Sequence, residues 1–182
     1  MGARLLNQVP TEPDAPATPQ GLLPAAVYDK ENRLSAVRPY RPDDRESLER
    51  FYAEFTPKRE AQGLPPEGAP RVARWLDSIL RAGTHLLVEH EGRLVGHAMI
   101  MPTDRPGVSE YAIFLEEAVR GQGLGTEVNI LTAQVARTMR IDRLWLSVEP
   151  RNRPAVRSYE KAGFRFKPET VFTPELEMEL VL

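Results

Sequence analysis

Apolar residues recur at helical spacing in some stretches of the chain and at strand spacing in others, with Gly and Pro marking the changes. Leu124, Val128, Leu131, Val135 and Met139 fall at helical intervals with Glu127, Gln134 and Arg137 between them, which predicts an amphipathic helix. The apolar run YAIFL over 111–115 predicts a strand just before it. Upstream, 36–40 reads as a short strand, and Pro42, Asp43 and Asp44 open a helix whose buried face holds Leu48, Phe51, Tyr52 and Phe55. Pro57, Pro65, Pro66 and Pro70 with Gly63 and Gly68 make 56–70 a loop, and a second helix follows over 71–82. Next come a hairpin of strands 85–90 and 93–101 around a Glu91-Gly92 turn, and a further turn at 104–108. Beyond the long helix lie a strand at 144–148, a short helix at 154–162 and two last strands near 164–172 and 176–181.

The first 34 residues break this regularity. Pro10, Pro13, Pro16, Pro19 and Pro24 make 1–34 a Pro-rich extended arm, with Leu5, Leu6, Leu22 and Leu23 available to dock on the domain or a neighbour. A single domain fills 35–182, without internal repeats.

The run VRGQGLGTEV, 119–128, joins the YAIFL strand to the long helix. Arg120, Gly121, Gln122, Gly123, Leu124 and Gly125 turn the backbone so that successive N–H groups point into one concavity, at a helix N-terminus carrying about half a positive charge. This pattern builds a phosphate site. A Walker loop needs Gly-Lys-Ser/Thr, whereas Gly125 is followed directly by Thr126. A dinucleotide fingerprint needs its last two glycines three apart, whereas Gly123 and Gly125 are two apart, and no βαβ unit precedes them. The spacing R-G-x-G-x-G after a strand instead resembles the acyl-CoA pyrophosphate loop of the GNAT superfamily of N-acetyltransferases. A second segment, LSVEPRNRPAVRSYEKAGF over 146–164, is similar to another GNAT motif, matched at Asn152, Ala155, Tyr159, Lys161, Gly163 and Phe164. The resemblance covers 36–182.

Composition agrees with one such domain. The chain has 182 residues, 24 basic and 26 acidic, for a net charge of −2, which argues against general nucleic-acid binding. No apolar run reaches membrane-spanning length, and the first residues have neither a secretory core nor a myristoylation serine, so a cytoplasmic protein is expected, with no membrane partner. The absence of cysteine excludes disulfides, thiolate-bound metal and a Cys-acyl intermediate. No metal is expected.

The resemblance implies an α/β (α+β) fold: one GNAT-type domain with a mixed, splayed sheet of about seven strands flanked by four helices, a β-bulge commonly assisting the splay. It implies acetyl-CoA as co-substrate, with pantetheine against the backbone of Ile113, Phe114 and Leu115 and the pyrophosphate on the amides of Gly121 to Thr126. It further implies that the Tyr159 hydroxyl approaches the CoA sulfur and protonates the departing thiolate. Asn152 either contacts the pantetheine arm or caps the short helix. Arg151, Arg153 and Arg157 form a basic cluster, facing either the adenosine 3′-phosphate or solvent.

An amine acceptor must be neutral to react. An ammonium of pKa about 10.4 costs roughly 4 to 5 kcal/mol to deprotonate at pH 7. Glu110, Glu149 and His97 are the candidate bases, each with a plain structural alternative: solvated strand-end charges for the two acids, a hydrogen-bonded sheet residue for the histidine. Ser147 stands where many relatives carry Glu. Glu175, Glu177 and Glu179 suit a cationic acceptor or simply form the solvent face of a strand. Phrases within 36–101 also look like stand-alone bacterial and archaeal protein lysine acetyltransferases. The expected activity is direct acetyl transfer to a primary amine of a small molecule, a protein lysine or an N-terminus, by a chain for which a homodimer remains open. The alternative is a non-catalytic acyl-CoA sensor or an assembly module on the same scaffold.

Overall fold

A computed structural model describes residues 21–58, 63–168 and 175–182. Among the described residues eight strands form one sheet in the order β1-β2-β3-β4-β5-β6-β8-β7. They are β1 (Ala25–Tyr28), β2 (Leu34–Pro39), β3 (Thr84–His90), β4 (Arg93–Pro102), β5 (Val108–Leu115), β6 (Arg143–Val148), β7 (Arg165–Phe166) and β8 (Leu176–Val181). The helices are α1 (Arg45–Glu54), α2 (Ala69–Ile79), α3 (Leu124–Thr138) and α4 (Arg153–Lys161). The sheet is mixed, since β5 and β6 run parallel and every other pair is antiparallel.

Both faces of the sheet are covered, so β4 is buried along most of its length rather than on alternate residues. Val95, Ala98 and Ile100 join the core under α3 and α4, with Leu131, Val135 and Phe164. Met99 and Met101 join a second core under α1 and α2, with Leu48, Tyr52, Trp75 and Ile79. Among the described residues no helix is long and apolar enough to cross a membrane.

The expected mixed sheet and helices on both faces are present, with two differences. Residues 25–28 belong to the sheet, not to an extended arm, so the boundary drawn at 34/35 cuts a hairpin. Val27 is its inward residue, and Asp29 organises the turn by accepting from the backbone N–H groups of Glu31 and Arg33, each at 2.9 Å. This adds a strand to the expected seven. The register irregularity falls between β3 and β4 at Val88/Glu89, away from the splayed pair. Leu22 and Leu23 pack against the α3/α4 core, whereas Leu5, Leu6 and residues 169–172 of the expected strand lie outside the described residues.

Candidate active site

The site begins where two strands part. β5 and β6 pair only through Val108↔Arg143, Ser109↔Leu144 and Glu110↔Trp145. Beyond that point β5 stays on β4 to Leu115 and β6 stays on β8 to Val148, so the facing edges separate. A cleft of about 740 Å³ occupies the opening, bordered by Ile113, Phe114 and Leu115 on one side and Ser147, Val148 and Glu149 on the other.

The glycine-rich loop closes one end of this cleft. Gly121 and Gly123 hold φ of 78° and 94°, conformations costly for a side-chain-bearing residue, and Gly123 caps the N-terminus of α3. The amides of Gly121, Gln122, Gly123, Leu124 and Gly125 have no acceptor among the described residues. Thr126 N–H donates to the Gly123 carbonyl at 2.9 Å, which ends the cradle at Gly125. A Cβ on Gly125 would lie 3.2 Å from Leu115 Cδ1, so that glycine lets α3 approach β5. The donor set suits an anionic pyrophosphate, and the unpaired strand edges suit an extended amide-bearing arm.

Arg120 occupies the cleft wall in a supporting role. Its amide donates to Glu117 and its guanidinium donates to the carbonyls of Leu115 (2.8 Å) and Thr56 (2.7 Å), lying over the Phe55 ring. It therefore straps the loop to the end of β5. Leu124 is buried in the core and Gln122 lies outside the lining, so the side chains of these two take no part in the cleft wall.

Tyr159 lines the cleft with its ring edge-on to Tyr111 and Phe164, and its hydroxyl has no hydrogen-bond partner among the described residues. Burial raises the phenol above its ordinary pKa, so it stays protonated. Asn152 caps α4, its side-chain oxygen accepting from Ala155 N–H at 3.3 Å, which realises the capping alternative. Two residues missed in the sequence complete this wall. Tyr111 donates to Asn129 (2.7 Å), Asn129 donates to Ser158 (3.0 Å), and the Ser158 and Thr126 hydroxyls pair at 3.1 Å. This chain ties β5, α3, α4 and the loop together. Asn129 was legible as a polar residue beside the apolar stripe of α3.

The candidate bases separate. Glu110 sits at the last paired position before the strands part, only 3% exposed, with Oε2 unpartnered among the described residues. Desolvation raises its pKa from 4.5 to about 7. Glu110 is not among the cleft-lining residues; strand alternation turns it toward the α1/α2 side with Ala112 and Phe114. Glu149 lines the cleft.

His97 is excluded as a free base by its partners. His85 Nε2 lies 3.0 and 2.9 Å from the carbonyls of Ile79 and Ala82, so it carries a proton. Neutral His85 then accepts at Nδ1 from His97 Nε2 at 3.0 Å, and His97 accepts at Nδ1 from the Tyr52 hydroxyl at 2.7 Å. Burial, reinforced for His97 by His85, holds both imidazoles below their ordinary pKa. The three groups form a satisfied buried chain under α1 and α2.

The acidic comb on β8 is also accounted for. Glu179 pairs with Arg143 and Glu177 with Lys167, each at 2.8 Å, while Glu175 accepts from Ser147 at 3.4 Å. Glu177 and Glu179 thus each have a cationic partner. Arg151 and Arg157 line the cleft and Arg153 does not. Among the described residues no group of three or more His, Cys, Asp or Glu is placed to hold a metal ion.

Comparison with known proteins agrees with this architecture. The model of the acetyltransferase (GNAT) family matches residues 45–164. The chain belongs to the GNAT acetyltransferase family. It is 35% identical over 103 residues to a mycothiol acetyltransferase of Sanguibacter keddieii, covering 53% of this chain and 31% of that protein. The chain thus spans about a third of the length of that relative. Among solved structures, the GNAT domain of S. lividans PAT superposes with a TM-score of 0.70 at 22% identity, covering 87% of this chain and 96% of that one. Mycobacterium smegmatis RimJ in complex with CoA-disulfide superposes at 0.64 with 14% identity, covering 88% of each chain.

Proposed function

We propose that this chain is an acetyl-CoA-dependent N-acetyltransferase that moves an acetyl group directly to a primary amine, on a small molecule, a protein lysine or an N-terminus. The observation that carries the reading is the amide cradle of Gly121–Gly125 at the mouth of the parted β5 and β6. Acetyl-CoA, when bound, supplies an acetyl thioester already activated for transfer. The loop amides and the end of α3 neutralise its pyrophosphate. Free backbone groups along β5 beyond Glu110 take the pantetheine arm as an added strand.

Tyr159 holds a proton at its hydroxyl for the departing sulfur, and burial keeps it there across the working pH range. Glu110, buried on the α1/α2 side of the cleft wall, takes the proton of the incoming ammonium through water. Desolvation brings its pKa to about 7, which suits a general base working near neutral pH. Phe55, Leu64 and Phe114 border the cleft on the α1/α2 side, so the acceptor is an amine carried on an apolar arm.

An acetyl-CoA consumption screen over lysine peptides, amino acids, polyamines and aminoglycosides tests the activity, with calorimetric titration of CoA beside it. CoA binding without turnover on any amine would favour the sensor reading, and absence of CoA binding would overturn both.

A further inference from the structure

The β1–β2 hairpin reaches the phosphate loop through its turn. Lys30 N–H donates to the Gln122 carbonyl at 2.8 Å, and the Lys30 stem crosses Gly123 so closely that a Cβ there would lie 3.0 Å from Lys30 Cγ. The residue lines the cleft beside Gly121, Gly123 and Arg157.

The turn leaves the ammonium of Lys30 uncommitted. Asp29, its neighbour on one side, is paired with Arg33 at 2.7 Å and accepts the two turn amides. Glu31, on the other side, faces Arg33 at 3.6 Å. No acidic side chain among the described residues pairs with Lys30. A cation is thus held over a row of unpaired amides on a stem fixed at its base by a backbone hydrogen bond, in a turn braced by an aspartate.

Resting on the coenzyme A reading above, we propose that Lys30 is a phosphate ligand of the cofactor cleft, delivered by the N-terminal hairpin to the open side of the Gly121–Gly125 cradle. Its stem lies over Gly123 in the middle of the cradle, which favours the pyrophosphate over the 3′-phosphate. The amides meet the phosphates from the loop side and Lys30 adds a point charge from the other. The hairpin is then part of the cofactor site, and residues 25–34 belong with the transferase domain functionally as well as structurally.

Lys30→Met keeps the stem and removes the charge; Lys30→Arg keeps the charge. Calorimetric titration with CoA and with dephospho-CoA should show Lys30→Met binding both roughly 10- to 30-fold more weakly than wild type, with Lys30→Arg recovering most of the loss. The deficit should shrink at high salt, and the melting temperature without ligand should not change. A loss confined to CoA would move the contact to the 3′-phosphate and still support a phosphate ligand. Equal affinity of wild type and Lys30→Met for both ligands overturns the role of Lys30 alone, whereas a wild-type chain that binds neither ligand overturns the cofactor reading itself.

Discussion

Replacing Glu110 with Gln should make the protein less active and, at high pH, more stable relative to wild type than it is at low pH. The carboxyl is 3% exposed, and desolvation raises its pKa from 4.5 to about 7. Between those values the unfolded chain has released the proton while the folded chain still holds it, so wild-type stability falls as pH rises and levels off above 7. The full penalty is roughly 3 kcal/mol, of which about 2.5 kcal/mol develops between pH 5 and 8. Glu110→Gln cannot titrate. Its buried amide adds an offset that does not vary with pH, and the titration of His85 and His97 is common to both proteins, so the comparison isolates Glu110. Urea denaturation at pH 5 and pH 8 should therefore show the stability difference between variant and wild type moving by roughly 2 to 3 kcal/mol in favour of the variant. Meanwhile kcat at saturating acceptor should rise with pH through about 7 in wild type and fall on the order of 10² to 10³ in the variant, losing that inflection. Parallel stability curves would show that Glu110 is not desolvated as described. An unchanged kcat with chemistry rate-limiting would remove it from the reaction.

Three further outcomes are expected. Tyr159→Phe keeps the ring packing on Tyr111 and Phe164, so CoA affinity by calorimetry should stay within about twofold while kcat drops on the order of 10²; full kcat would make the hydroxyl structural. Gly125→Val places a side chain where Cβ alone would be 3.2 Å from Leu115 and 3.5 Å from Ser158 Oγ, so both the melting temperature and CoA affinity should fall, the latter about 100-fold by titration; unaltered binding would place the phosphates elsewhere. His97→Phe strands the Tyr52 hydroxyl and His85 Nδ1, costing roughly 2 to 5 kcal/mol in urea denaturation. Because burial depresses the His85 and His97 pKa values, wild-type stability from this pair is complete above about 6.5 and lost as pH falls below it, and the variant should lose much of that dependence.

What was legible in the sequence was whatever has a period or a punctuated loop. The apolar stripe of α3 and the glycines before it located the strand-to-helix loop and its unpaired amides, because a left-handed turn and a helix start both leave local signatures. The Ala25–Tyr28 strand was hidden for the converse reason: four residues with one inward side chain carry no period, and the prolines upstream dominate the composition. Lys30 therefore went unnoticed as a neighbour of Gly123, since its place depends on a hairpin folding back across β2. The chemistry of the two acids was equally illegible. Glu110 and Glu149 look alike in sequence, and only the packing of sheet and helices makes one desolvated and leaves the other on the cleft wall. Likewise the alternation of Glu175, Glu177 and Glu179 was plain, but their cross-strand partners required the register of β8 on β6 and β7.

The opening between β5 and β6 costs less than a gap in the middle of a sheet suggests, because each strand keeps a full partner on its other edge. Only the two facing edges forgo hydrogen bonds, and those are the groups an extended ligand arm would take up. The first β5 residue past the paired segment, Tyr111, is also anchored independently of β6. Its ring stacks on Phe164 at 6.0 Å and meets Tyr159 edge-on at 6.3 Å, while its hydroxyl donates to Asn129. From Asn129 the contacts pass through Ser158 to Thr126, immediately after the amide cradle. The parted strands, the glycine-rich loop and the tyrosine facing the cleft are thus braced by one set of contacts. A change at Asn129, which itself offers no charge to a ligand, should disturb the loop end and the Tyr159 end of the cleft together.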